Sequence, residues 1–165
     1  MNVRPAGDRD ADAIWKILEP VIRAGETYAL PRNMSRDAAL AYWHGEPYQV
    51  FVAEDAGEIV GTYHLRANQQ GGGAHVANCG YMTAPSATGR GVARAMCLHS
   101  LKTAHAQGFR AMQFNFVVST NERAVRLWQS LGFAVVGRLP GAFEHPAFGF
   151  VDALVMYRNL AEESG

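Results

Sequence analysis

Residues 81–96 constrain this chain more than any other stretch. A β-rich run ends at Pro85, glycines follow at 89 and 91, and a run of helix formers begins at Val92. That order reads as strand, loop, helix, with the helix starting near Gly91. The first N–H groups of a helix lack intrahelical partners and carry the positive end of its dipole. Gly89 and Gly91 have no Cβ, Ala93 is small, and Arg90 and Arg94 flank them, so the segment suits a phosphate or pyrophosphate. Two common phosphate loops do not fit. A nucleoside-triphosphate loop needs Lys and then Ser or Thr after its last glycine, and Val92-Ala93 stands there. A dinucleotide loop needs Gly or Ala where Arg94 stands, because a larger residue prevents close helix–strand packing. On these residues alone a plain glycine-rich turn stays open.

The chain around this loop alternates strands and helices. Val3-Arg4-Pro5 reads as a short strand, and Asp8 or Asp10 as the cap of a first helix carrying Ile14, Ile17, Leu18, Val21 and Ile22 on one stripe. Pro20 predicts a kink or a break into two short helices near Glu19. Ser35 starts a second helix with Ala39, Tyr42 and Trp43 inward, ending at Gly45. Strands are expected at 48–54 and 58–65, joined by a hairpin at Asp55-Ala56-Gly57, and at 75–83. The third helix runs from Gly91 to about Gln107, a strand spans 111–118, and Thr120 or Asn121 caps a fourth helix. In that helix Ala124, Leu127, Trp128 and Leu131 share a face, and Gly132 ends it. Closing strands at 134–139 and 151–157 flank a loop at 140–149. The pattern predicts an α/β fold, one mixed sheet with helices on both faces, over a single domain 1–165.

Composition narrows the function classes. With 48% hydrophobic and 18% charged residues the chain is globular rather than disordered. Fifteen basic residues balance fifteen acidic ones, which argues against a nucleic-acid or anionic-membrane footprint over the surface. The six histidines show no paired ligand spacing, so no metal is expected. Cys79 and Cys97, in a strand and a helix, read as buried thiols. The first ten residues carry no apolar leader, and a cytoplasmic location is expected.

Three segments in the right order carry a resemblance. Thr88-Gly-Arg-Gly91-Val-Ala93 matches the last two fixed positions of the acyl-CoA loop Gln/Arg-x-x-Gly-x-Gly/Ala and departs at the first. Met82-Thr83-Ala84-Pro85 resembles the strand end that pairs with a pantetheine arm. Residues 120–133 resemble Asn-x-x-Ala-x-x-Leu-Tyr-x-x-x-Gly-Phe. Together they resemble the GCN5-related N-acetyltransferases over nearly the whole chain. The resemblance implies a mostly antiparallel sheet of six to seven strands, splayed between the fourth and fifth, with about four helices. It implies acetyl transfer from acetyl-CoA to an amine, with no metal, and a possible homodimer. The cofactor-binding residues it implies are Met82, Thr83, Thr88, Gly89, Arg90, Gly91, Val92, Ala93, Arg94, Asn121, Arg126 and Trp128, with an N–H near Met82 holding the oxyanion.

The sequence also departs from that family. Trp128 replaces the tyrosine often assigned to protonate the leaving thiolate, and an indole N–H is no acid at neutral pH. Asn78 stands where phosphinothricin-type enzymes have a Glu. Direct attack on the thioester is therefore expected, without a dedicated side-chain acid or base. Asn78, Asn115 and Asn121 resemble the asparagines of the L-azetidine-2-carboxylic acid acetyltransferases, which orient a small imino acid. They are the candidate catalytic residues, although Asn115 can equally satisfy a backbone group and Asn121 can cap a helix. Glu26, Tyr28, Tyr81, Phe116 and His145 are candidates for the acceptor pocket, with Phe143 and Asp152 nearby. A small-molecule amine is the expected acceptor. Acetylation of a protein N-terminus or lysine, which would predict an open acidic cleft, and a non-catalytic acyl-CoA-binding module are the alternatives.

Overall fold

A computed structural model describes residues 1–161. Seven strands form one sheet: β1 (Asn2–Pro5), β2 (Gln49–Asp55), β3 (Glu58–Ala67), β4 (Val76–Thr83), β5 (Ala111–Val118), β6 (Ala134–His145) and β7 (Gly149–Asn159), in spatial order β1-β2-β3-β4-β5-β7-β6. Every neighbouring pair is antiparallel except β4 and β5, which run parallel. That parallel pairing covers Val76↔Ala111, Ala77↔Met112 and Asn78↔Gln113 and then stops, although β4 continues to Thr83 and β5 to Val118. The sheet opens into a gap beyond Asn78.

Four α-helices cover the two faces: α1 (Ala11–Ala24), α2 (Arg36–Trp43), α3 (Val92–Ala106) and α4 (Glu122–Ser130). The alternating side chains of the strands build a core on each side. On one, Tyr63, Leu65, Ala77, Cys79 and Phe114 pack against Met96, Cys97 and Leu101 of α3 and Trp128 of α4. On the other, Val52 and Met82 meet Ile14, Ile17, Leu18 and Ile22 of α1 and Ala39 and Trp43 of α2. A buried relay ties α2 to the sheet: Trp43 Nε1 donates to Thr62 Oγ1 (3.0 Å), whose hydroxyl donates to the Phe51 carbonyl (2.8 Å). Cys79 and Cys97 are both free and buried, as expected.

Several expectations are corrected here. The first helix is unbroken, with Pro20 inside it on an exposed position. Asp10 does not cap α1 through its side chain: its carboxylate takes two hydrogen bonds from Arg4 (2.9 and 3.0 Å) and one from the Gly7 N–H (2.7 Å). Its pKa is held down to about 2, chiefly by Arg4. Ser35 does cap α2, accepting from the Ala38 N–H, but Tyr42 is exposed rather than inward. Asn121 precedes α4 without a side-chain capping bond. The largest difference is at 140–149, read as a loop because of Pro140, Gly141 and Gly149. It is instead the far half of the β6–β7 hairpin, whose register shifts between Leu139↔Ala153 and Phe143↔Val151 to absorb two extra residues in a bulge. Gly141 adopts φ +58 there, and Asp152 accepts from its N–H (2.9 Å) and from Arg138 (2.8 Å).

Candidate active site

The gap between β4 and β5 opens into a cleft of about 740 Å³, a size ordinary for a ligand site. Its two ends are chemically different.

At one end lies the start of α3. Gly91 precedes it at φ +77 and Gly89 lies at φ +84, backbone that a side chain rarely adopts. A Cβ on Gly91 would meet nothing within 4 Å, so the requirement there is conformational, and it leaves open space above the helix N-terminus. No side chain caps that terminus, so the amides of Val92, Ala93 and Arg94 remain for a ligand. Thr88, Gly89, Gly91, Val92, Ala93 and Arg94 all line the cleft. The neighbouring arginines differ from expectation. Arg90 turns outward to Asp55 (2.6 Å), and Arg126 lies on the far side of α4, outside the cleft, paired with Glu122 one turn earlier. Arg123 takes the place at the loop: its Nη2 would lie 3.1 Å from a Cβ on Gly89, and it lines the cleft with Arg94. Helical spacing explains the exchange, since Asn121, Ala124, Leu127 and Trp128 face the cleft and bring Arg123 to its rim.

Along the gap, β4 offers its backbone. The Ala84 N–H bonds the Val60 carbonyl, so by the alternation of an antiparallel ladder the polar groups of Gly80 and Met82 point to β3. Those of Tyr81 and Thr83 point into the gap. The backbone N–H near Met82 that faces the gap is therefore that of Tyr81. The Met82 side chain is buried against α1 and α2. The Tyr81 ring lies in the opposite core, with its hydroxyl 2.6 Å from Ser100 Oγ and its ring against Trp128 and Phe114. Burial pushes the Tyr81 hydroxyl well above its usual pKa, and it is turned to Ser100 and Met112 rather than into the gap.

The other end is walled by Tyr28, Leu30, Tyr42, Tyr48, His64, Arg66, Asn78, Asn115 and Phe116. Tyr28 donates to the Tyr81 carbonyl (2.9 Å). Asn78 donates across the gap's edge to the Gln113 carbonyl (3.0 Å), which fastens the last paired rung of β4 and β5. Asn115 is exposed and sits in a chain of amides, accepting from Gln113 Nε2 (2.9 Å) and donating to Asn68 Oδ1 (2.6 Å). Thus the structure brings Asn78, Asn115 and Asn121 to one cleft but engages the first two in protein hydrogen bonds. Glu26 is exposed and outside the cleft. His145 is also outside it, buried in the β6–β7 turn, where Nδ1 accepts from the Ala147 and Phe148 N–H groups (3.0 and 3.3 Å). Its distance from the cleft follows from the lengthened hairpin. Phe143 packs near Phe116.

Sequence reasoning missed His64. It lies between the rings of Tyr48 (3.9 Å) and Trp43 (4.1 Å), with Nδ1 3.1 Å from the Trp43 carbonyl. A carbonyl only accepts, so Nδ1 carries the proton and Nε2 keeps its lone pair. Burial lowers the pKa to about 4, so the ring is neutral at working pH. A Cβ at Gly80 would stand 2.7 Å from Nε2 and 3.0 Å from Tyr28 Oη, so the glycine keeps this floor open. The one signal in the sequence was the period-2 pattern of β3, which puts Thr62, His64 and Arg66 on the face shared with Asn78 and Gly80. Among the described residues no group of three or more His, Cys, Asp and Glu is placed to hold a metal, and no helix is long and apolar enough to cross a membrane.

Comparison with known proteins agrees with this geometry. The model of the acetyltransferase (GNAT) family matches residues 13–133. A GCN5-related N-acetyltransferase from Kribbella flavida is 44% identical, with a TM-score of 0.91 over 96% of each chain. A GNAT-superfamily phosphinothricin acetyltransferase from Sinorhizobium meliloti, solved in complex with acetyl-CoA, is 22% identical and shares the fold (TM-score 0.85, covering 99% of this chain and 90% of that one). The N-acetyltransferase aca1 of Schizosaccharomyces pombe is 31% identical over 98 residues, which is 59% of this chain and 47% of that protein. The chain thus spans about half the length of this curated relative. A family match over most of the chain, joined to a sheet that opens beside an uncapped helix, makes the chain a member of the acetyltransferase (GNAT) family.

Proposed function

We propose that this N-acetyltransferase acts on the amine of a small molecule, by direct attack on acetyl-CoA held with it in one ternary complex. One observation carries the reading. The cleft has a phosphate-suited end at α3 and a compact aromatic end at Tyr28, Tyr42, Tyr48 and His64, with the β4–β5 gap running between them. The residues fit the cosubstrate: Gly89 and Gly91 leave space over free amides, Arg94 and Arg123 supply charge, and Tyr81 and Thr83 present backbone groups to an extended arm.

Acetyl-CoA brings an acetyl group activated as a thioester, and the chain supplies position and electrostatics. The Tyr81 N–H is aimed at the gap as an oxyanion donor, a contribution typically of about 3 kcal/mol. Trp128 lies against Tyr81 and shapes the wall without acting as an acid. The neutral His64 Nε2 is an acceptor for an N–H of the incoming amine, and water carries the proton away, because a ring with pKa about 4 is a weak base. Asn78 keeps the gap's edge fixed through Gln113, so its effect is on geometry.

The test follows CoA release from acetyl-CoA with a panel of amino acids, imino acids, polyamines and short peptides. Turnover of small amines is expected. Turnover confined to peptides would instead support a protein acetyltransferase. Tight acetyl-CoA binding with no turnover of any panel member would support a non-catalytic acyl-CoA module.

A further inference from the structure

Resting on the small-amine reading, we infer that Arg66 is the specificity residue of the acceptor end and that the acceptor carries a carboxylate, as an amino or imino acid does. Among the described residues, the Arg, Lys, Asp and Glu side chains lining the cleft are Arg66, Arg94 and Arg123, with no Asp or Glu. Arg94 and Arg123 belong to the α3 end. Arg66 stands apart on β3, directly across from Asn78, where the gap begins.

Arg66 is held but not neutralised. Its guanidinium carbon lies 5.0 Å from the centre of the Tyr48 ring, and its Nε is shut off from water with no hydrogen-bond partner. With no partner even for its shielded Nε, the guanidinium carries a positive charge that no protein group compensates, and that is a cost to the fold. The cation–π contact with Tyr48 holds the guanidinium at the cleft wall, and its outer N–H groups are the ones that can take both oxygens of a carboxylate. A carboxylate there removes the uncompensated charge; an amine with no anionic group gains nothing from it. The neighbours agree in sign. Burial favours the neutral forms of His64 and Tyr42, and among the described residues no acidic group on β2, β3 or α2 lines the cleft to compete for the guanidinium. From Asn78 to Tyr81 is three strand residues, about 10 Å, a span that a guanidinium and a small amino acid fill together. A polyamine or a lysine side chain would meet a bare cation instead, which also explains the absence of an acidic cleft.

The experiment compares amino and imino acids with their carboxamides, using CoA release for turnover and calorimetry on the protein loaded with CoA for binding. The wild type is expected to prefer the free acid by about 100-fold in kcat/KM, the range of a charge-assisted pair. Arg66→Ala is expected to bring that ratio near one, mainly through KM, and Arg66→Lys to restore part of it, with circular dichroism confirming that both variants fold. Turnover of acids and amides alike by the wild type, or a ratio unmoved in Arg66→Ala, overturns the inference and leaves the small-amine reading standing. Arg66-dependent binding of the acid without CoA release upholds carboxylate recognition and overturns the small-amine transferase reading. Neither binding nor turnover of any acid overturns the inference, and overturns the small-amine reading with it when the carboxamides and polyamines are not turned over either.

Discussion

Acid destabilisation through His64 is the prediction most directly fixed by the geometry. Trp43, Tyr48 and Tyr42 surround the ring, which is 2% exposed, and its pKa falls from 6.5 to about 4, mainly through burial. At pH 7 the group is neutral in both states and the shift contributes nothing. As pH falls below 6.5 the unfolded chain takes up a proton that the folded chain refuses. Stability is therefore lost between pH 6.5 and 4, and the loss levels off below 4. At 1.36 kcal/mol per unit, a shift of about 2.5 units amounts to about 3 kcal/mol. The assay is urea unfolding at several pH values between 7.5 and 3.5 for the wild type and for His64→Phe, which keeps the stack and cannot titrate. With an m-value of about 2 kcal/mol/M, the wild-type midpoint should fall by about 1.5 M more than the variant's. His44, His99 and Asp10 also titrate with shifted pKa values, but they are present in both proteins and cancel in the difference. Parallel pH curves for the two proteins would refute a buried neutral imidazole, and with it the assignment of Nε2 as an acceptor.

Three further outcomes are expected. Gly91→Ala should cost only about 1–2 kcal/mol of stability, because its Cβ meets nothing but φ is +77. It should nonetheless weaken acetyl-CoA binding by about tenfold or more, and an unchanged Kd by calorimetry would remove Gly91 from the phosphate seat. Trp128→Phe should keep most of its kcat, since the indole packs against Tyr81 and Phe114 rather than donating a proton; a loss above about 100-fold would assign it a chemical role. Thr62→Val should cost about 1–3 kcal/mol in urea unfolding, because it strips the buried Trp43 N–H of its acceptor, and a negligible change would mean that the relay is not needed.

Local chemistry by itself determined the strand–loop–helix at 81–96, the Ser35 cap, the hairpin at 55–57 and the split of apolar residues between two faces of one sheet. Each depends on residues within a few positions of one another, where turn chemistry and side-chain period act directly. Tertiary structure alone decided which arginine lines the α3 end of the cleft, because Arg90 pairs with Asp55, 35 residues away, and Arg123 is brought there by α4. It also decided that 140–149 pairs as a bulged hairpin, since Asp152 on the opposite strand accepts from the Gly141 N–H at the bulge. The aromatic end of the cleft was illegible for the same reason. His64 and Arg66 read as alternate residues of an ordinary strand, and only the registers β2–β3 and β3–β4 set them beside Tyr48 and Asn78 at the mouth of the gap. Chain-local propensities name elements, whereas a site between two diverging strands exists only where distant segments meet.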